Sequence, residues 1–132
     1  MLNKVRLFGI VLSSSFLFSS TVFAGWTLDG NNSSLFYVTS KAAALSELNS
    51  FANLVGVIRD DGRARVNIGL GSVDTAIDIR DERMRDIVFQ VENNQRSNIN
   101  MQTNIALLNT LDAGESIRAT YDAVIELIGE EQ

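Results

Sequence analysis

Asn98-Ile99-Asn100-Met101-Gln102-Thr103-Asn104-Ile105 alternates without a break. Ile99, Met101, Thr103 and Ile105 hold one parity; Asn98, Asn100, Gln102 and Asn104 hold the other. Successive side chains of a strand point to opposite faces, so the stretch reads as a strand with one dry and one wet face. Working outward, Ala64, Val66, Ile68 and Leu70 alternate in the same way with Arg63, Arg65, Asn67 and Gly69. Ile117, Ala119, Tyr121, Ala123, Ile125 and Leu127 form a longer stripe. That stripe places Tyr121 and Ile125 inside and Arg118, Asp122 and Glu126 in solvent. Strands with one apolar face suit a curved antiparallel sheet.

Turn chemistry separates the strands. Asp60-Asp61-Gly62 predicts a tight hairpin between 55–59 and 63–70, because Asp-Gly tolerates the backbone a short turn needs. Asp29-Gly30-Asn31-Asn32, Asn93-Asn94-Gln95-Arg96-Ser97 and Asp112-Ala113-Gly114-Glu115 mark further breaks. No proline interrupts any strand. Two stretches follow another rhythm. Ala42, Leu45, Leu48 and Phe51 recur at spacing three, which fits a helix or an irregular strand over a barrel mouth. Residues 80–86 are dense in charge and helix formers, and predict a turn or two of helix with Met84, Ile87 and Val88 facing in.

Residues 1–24 read as a cleaved secretory signal: Lys4 and Arg6, then an apolar run, then Val22-Phe23-Ala24 with small residues at the cleavage positions. The run is short and serine-rich for a membrane anchor. The expected product starts at Gly25, is a single domain over 25–132, and carries no membrane span. Its expected location is the periplasm. Without Lys4 and Arg6, 9 basic residues face 16 acidic ones. An acidic chain is a poor partner for nucleic acid or an anionic membrane surface. With no Cys there is no disulfide and no lipid-modified N-terminal cysteine; with no His as well, the Ser-His and Cys-His hydrolytic arrangements and the common zinc sites are excluded. No carboxylate pair has a spacing that demands acid–base catalysis. No enzyme activity, cofactor or metal is expected.

Ser72-Val73-Asp74-Thr75, then Arg80-Asp81-Glu82-Arg83-Met84 and Phe89, resembles the most recognisable stretch of the YceI-like family. Gly25-Trp26-Thr27-Leu28-Asp29, Ser33-Ser34-Leu35-Phe36-Tyr37, the stretch from Phe51 to Gly56, and Leu127-Ile128-Gly129 fit the family in order. The resemblance implies an all-β fold: an extended antiparallel, lipocalin-like barrel with a short helix, enclosing an apolar tunnel. It also implies binding of a polyisoprenoid, an isoprenoid quinone or a fatty-acid-like lipid. Family members are longer, so the barrel is expected to be incomplete or open, with no strand to pair beyond Leu127. The other reading is a truncated interaction module or fragment with an open sheet edge.

The expected cavity wall comprises Leu35, Tyr37, Met101, Ile105, Tyr121 and Ile125, each of which alternation alone would also allow as plain core. Thr75, Arg80 and Arg83 are the candidates for a polar ligand head; the alternative is that they fasten a strand end to the helix through caps and ion pairs. Trp26 is expected to plug one barrel end. The expected partner is a hydrophobic lipid, and a homodimer is allowed.

Overall fold

The structure, a computed structural model, describes residues 25–41, 45–127 and 130–131. The expected leader and Ala42 lie outside them. Among the described residues the order is β1 (Trp26–Thr27), β2 (Leu35–Lys41), β3 (Leu45–Phe51), β4 (Leu54–Ile58), β5 (Arg63–Gly69), β6 (Val73–Asp74), α1 (Asp78–Arg83), β7 (Arg96–Gln102), α2 (Ile105–Leu108), β8 (Ala123–Leu127) and β9 (Glu130–Glu131). All pairings are antiparallel. One sheet runs β1-β4-β5-β7-β8-β9 and the other β2-β3-β6. The two do not close into a barrel among the described residues; the fold is mostly β, with a short helix.

The β4–β5 hairpin forms as its turn predicts, with Val55 opposite Asn67 and Val57 opposite Arg65. Asp61 fixes the turn by accepting from the Arg63 amide at 3.0 Å and the Arg63 Nε at 2.7 Å. Gly62 sits at φ +85°, and a Cβ there would fall 2.7 Å from the Thr103 carbonyl. The turn can therefore dock on the end of β7, where the Thr103 amide and hydroxyl both donate to the Gly62 carbonyl, at 2.8 and 2.7 Å. Asp29 caps a 3-10 turn over Gly30–Asn32, as its sequence suggests.

Five expectations are corrected. The strand read over 98–105 ends at Gln102: the Asn104 side chain accepts from the Leu107 amide at 3.1 Å and caps α2, so Ile105 is helical. The strand beginning 63–70 ends at Gly69, and Leu70 opens a 3-10 turn with its side chain fully buried. Of the long stripe, only Ala123–Leu127 forms a strand; Ile117, Ala119 and Tyr121 precede it outside the sheet. Beyond Leu127 a partner does exist, since Leu127 pairs with Glu130 and Glu126 with Glu131. After α1 the chain widens into a π-helical turn over Met84–Val88, closed by the Phe89 amide donating to the Met84 carbonyl at 2.8 Å. The wider turn changes the phase of the helix. Met84 packs against the core and Phe89 is buried, while Ile87 and Val88, expected inside, are exposed.

The ambiguous stretch before Phe51 is a strand: all seven residues of β3 pair with β2. Its inward parity is Glu47, Asn49 and Phe51, and Leu48 lies outside at 64% exposure. The core cluster joins the two sheets. Phe51 and Val73 come from the smaller one, Leu54 and Ile68 from the larger, and Leu70 and Phe89 from the connections.

Candidate functional site

The register of the larger sheet arranges its inner face in rows. Leu54, Ile68 and Ser97 make one; Gly56, Val66, Ile99 and Ile125 the next; Ile58, Ala64, Met101 and Ala123 the third. Coverage falls off across the sheet. Leu54, Ile68 and Ala64 are buried, Val66, Ile99 and Met101 are half-buried, and Ile125 reaches 36% exposure. Leu28, Leu35, Tyr37, Met84, Val91 and Leu127 pack against the core and are themselves half-buried. The result is a continuous apolar wall only partly covered by the protein's own side chains, a surface that gains free energy by receiving hydrocarbon.

The outer face behaves differently. Arg65 Nε donates to Asn100 Oδ1 at 2.8 Å, and the Asn67 and Asn98 amides bond to each other. Asn98 and Asn100 each donate from Nδ2 to the Glu126 carboxylate, at 3.1 and 3.3 Å. Glu126, expected simply in solvent, is half-buried and ties β7 to β8.

Along the smaller sheet the inner face turns from apolar to polar. Leu35 faces Phe51, Tyr37 faces Asn49, and Thr39 faces Glu47. Tyr37 stacks on Phe51 with centroids 5.4 Å apart, and Phe51 meets Phe89 at 5.9 Å. Burial pushes the Tyr37 phenol above its ordinary value, and the Asp81 charge adds to this while Arg80 opposes it. Asn49 is 4% exposed and donates from Nδ2 to Thr39 Oγ1 at 3.2 Å. The Arg80 guanidinium meets the Glu47 carboxylate at 2.6 Å, both half-buried. Thr75 is buried, and its hydroxyl and amide donate to Asp81 Oδ1 at 2.6 and 2.8 Å. The Thr75 hydroxyl holds the Asp81 carboxyl below the usual carboxylate range; burial acts against it, and the Thr75 amide, Arg85 and Arg80 assist.

The predicted residues therefore separate. Leu35 and Tyr37 lie against the core, and Met101 and Ile125 lie on the apolar wall of the other sheet. Ile105 sits half-buried in α2, and Tyr121 Oη accepts from the Asn104 amide at 3.4 Å. Thr75 and Arg80 are engaged with Asp81 and Glu47, and Arg83 is exposed. Trp26 is 41% exposed and donates to Asn109 Oδ1 at 3.3 Å, so it plugs nothing. A surface cleft of about 1050 Å³ lies elsewhere, lined by polar residues including Asn53, Arg85, Asp86, Glu92 and Arg96. Met101 lines a second cleft of about 470 Å³ with Ala64 and Arg65. Sequence reasoning missed Glu47 and Asn49. The alternation from Glu47 to Phe51 was the available signal, hidden because its inward members are mostly polar.

A solved structure similar to this chain is a polyisoprenoid binding domain from Saccharophagus degradans implicated in plant cell wall breakdown. The two are 32% identical and superpose with a TM-score of 0.65, over 80% of this chain. The chain belongs to the YceI-like family. This YceI-like chain spans 61% of the length of that domain. No family model matches it, and no curated protein does. The matched domain is described as a binding domain, not as an enzyme. Among the described residues of the YceI-like chain, no helix is long and apolar enough to cross a membrane, and no cluster of carboxylates could hold a metal ion.

Proposed function

We propose that this chain binds an isoprenoid or a similar long-chain lipid along the partly covered apolar wall, as an exported periplasmic protein. The similarity to a polyisoprenoid binding domain carries this reading. The half-buried Leu35, Tyr37, Val66, Ile99 and Leu127 support it, because each leaves apolar surface for a hydrocarbon to cover. Each methylene so covered contributes about 0.8 kcal/mol, so a few isoprene units give useful affinity without any charged contact. The leader-like start supports export.

The test is organic extraction of the purified protein, followed by mass spectrometry and by re-addition of an isoprenoid quinone. Recovery of a long-chain isoprenoid, or saturable uptake of the quinone, is the expected result. A protein that comes out empty and takes up none would overturn the reading.

A further inference from the structure

Among the described residues, one buried side-chain polar atom lacks a partner: Asn49 Oδ1. A buried acceptor left unpaired destabilises the fold, and a leucine at the same place would avoid that cost. The atom sits where the inner face of the β2–β3 hairpin changes character. On one side lies the aromatic stack of Tyr37, Phe51 and Phe89; on the other lie Thr39 and the Glu47–Arg80 ion pair. An apolar stripe ending at an unpaired hydrogen-bond acceptor is the complement of an amphiphile with a donor at its tip.

The charges beside the atom argue against an anionic tip. The Arg80 guanidinium is already engaged with Glu47, and Asp81 brings a second carboxylate held ionised by Thr75. The Arg85 charge also favours the ionised form of Asp81. A phosphate entering here would face two carboxylates, with the nearest guanidinium already engaged. A hydroxyl brings no charge and supplies the missing donor.

We propose that Asn49 reads the polar end of the ligand, its Oδ1 accepting a hydrogen bond from an isoprenoid alcohol whose tail runs over Tyr37 and Phe51. This rests on the lipid-binding reading and adds to it a preference for uncharged, hydroxyl-ended isoprenoids. The probes are farnesol, farnesene and farnesyl diphosphate, which share one tail and differ at the tip, with affinities measured by titration calorimetry on the intact protein. The unaltered protein should bind farnesol about tenfold more tightly than farnesene, the worth of one such hydrogen bond, and should disfavour the diphosphate. Asn49→Leu should bring farnesol down to the affinity of farnesene and leave farnesene itself unchanged. A merely structural amide would shift the melting temperature and leave the farnesol preference intact, which overturns the proposal. Because the preference is measured first on the unaltered protein, a variant that fails to fold does not shelter the idea. Binding of all three probes without preference overturns this proposal alone, and binding of no isoprenoid overturns it together with the lipid-binding reading.

Discussion

Asp81 receives the amide and the hydroxyl of Thr75 on a single carboxylate oxygen, six positions apart in the chain. Its folded carboxyl therefore gives up its proton more readily than an ordinary one. A depressed folded value means stability that is fully present above the unfolded value, about pH 4, and lost as the pH falls through the folded value. Thr75→Val removes the hydroxyl donor. The stability gap between the unaltered protein and Thr75→Val should be widest above about pH 4 and should narrow as the pH is lowered below it; urea midpoints at several pH values measure it. A gap independent of pH would mean that Asp81 does not titrate through this contact. At this scale the Thr75–Asp81 fastening of strand to helix was legible, because its two residues are near neighbours in the chain; the Glu47–Arg80 pair was not, since 33 positions separate its partners. Asn49 was missed, because the alternation that carries it, from Glu47 to Phe51, has mostly polar inward members.

Elements were readable where turn chemistry is local. Asp60-Asp61-Gly62 set the hairpin and its register because the glycine conformation and the Asp61 contacts belong to the turn itself. The stripe from Ile117 was overextended: alternation reports a possible strand, but a strand also needs a partner, and the sheet offers one only from Ala123 onward. The π-helical turn was illegible, since helix formers do not specify the size of the hydrogen-bonded ring. The same sheet geometry sets how an inserted charge is felt. Sequence alone places Ile125 inside, where a charge should unfold the domain; at 36% exposure on the partly wet end of its row, it can turn a carboxylate to water. Val66, in mid-row over Gly56, has less room to do so. Val66→Glu should cost several kcal/mol and Ile125→Glu roughly 1 kcal/mol, as read from chemical denaturation. Equal costs would show that both rows are equally covered.

Across the whole molecule the two sheets share one core, and Phe89 packs on Phe51 at that junction. Phe89→Ala should lower the unfolding free energy by about 3–5 kcal/mol. Because, among the described residues, the buried apolar side chains of the smaller sheet all belong to this cluster, far-UV circular dichroism and Trp26 emission, which reports on β1 of the larger sheet, should move through one common transition. Two separated transitions would show that the sheets fold independently.

The widened turn between α1 and Phe89 also bears on how the chain can change in length. Its hydrogen bond spans five residues where an α-helix spans four. Removing Ile87, which is exposed and absent from the core cluster, would leave Phe89 four positions after Met84, the spacing of an ordinary helix. The segment thus carries one residue of slack. Relatives one residue shorter at this place would align with a gap, yet could keep the same aromatic anchor beneath the sheets.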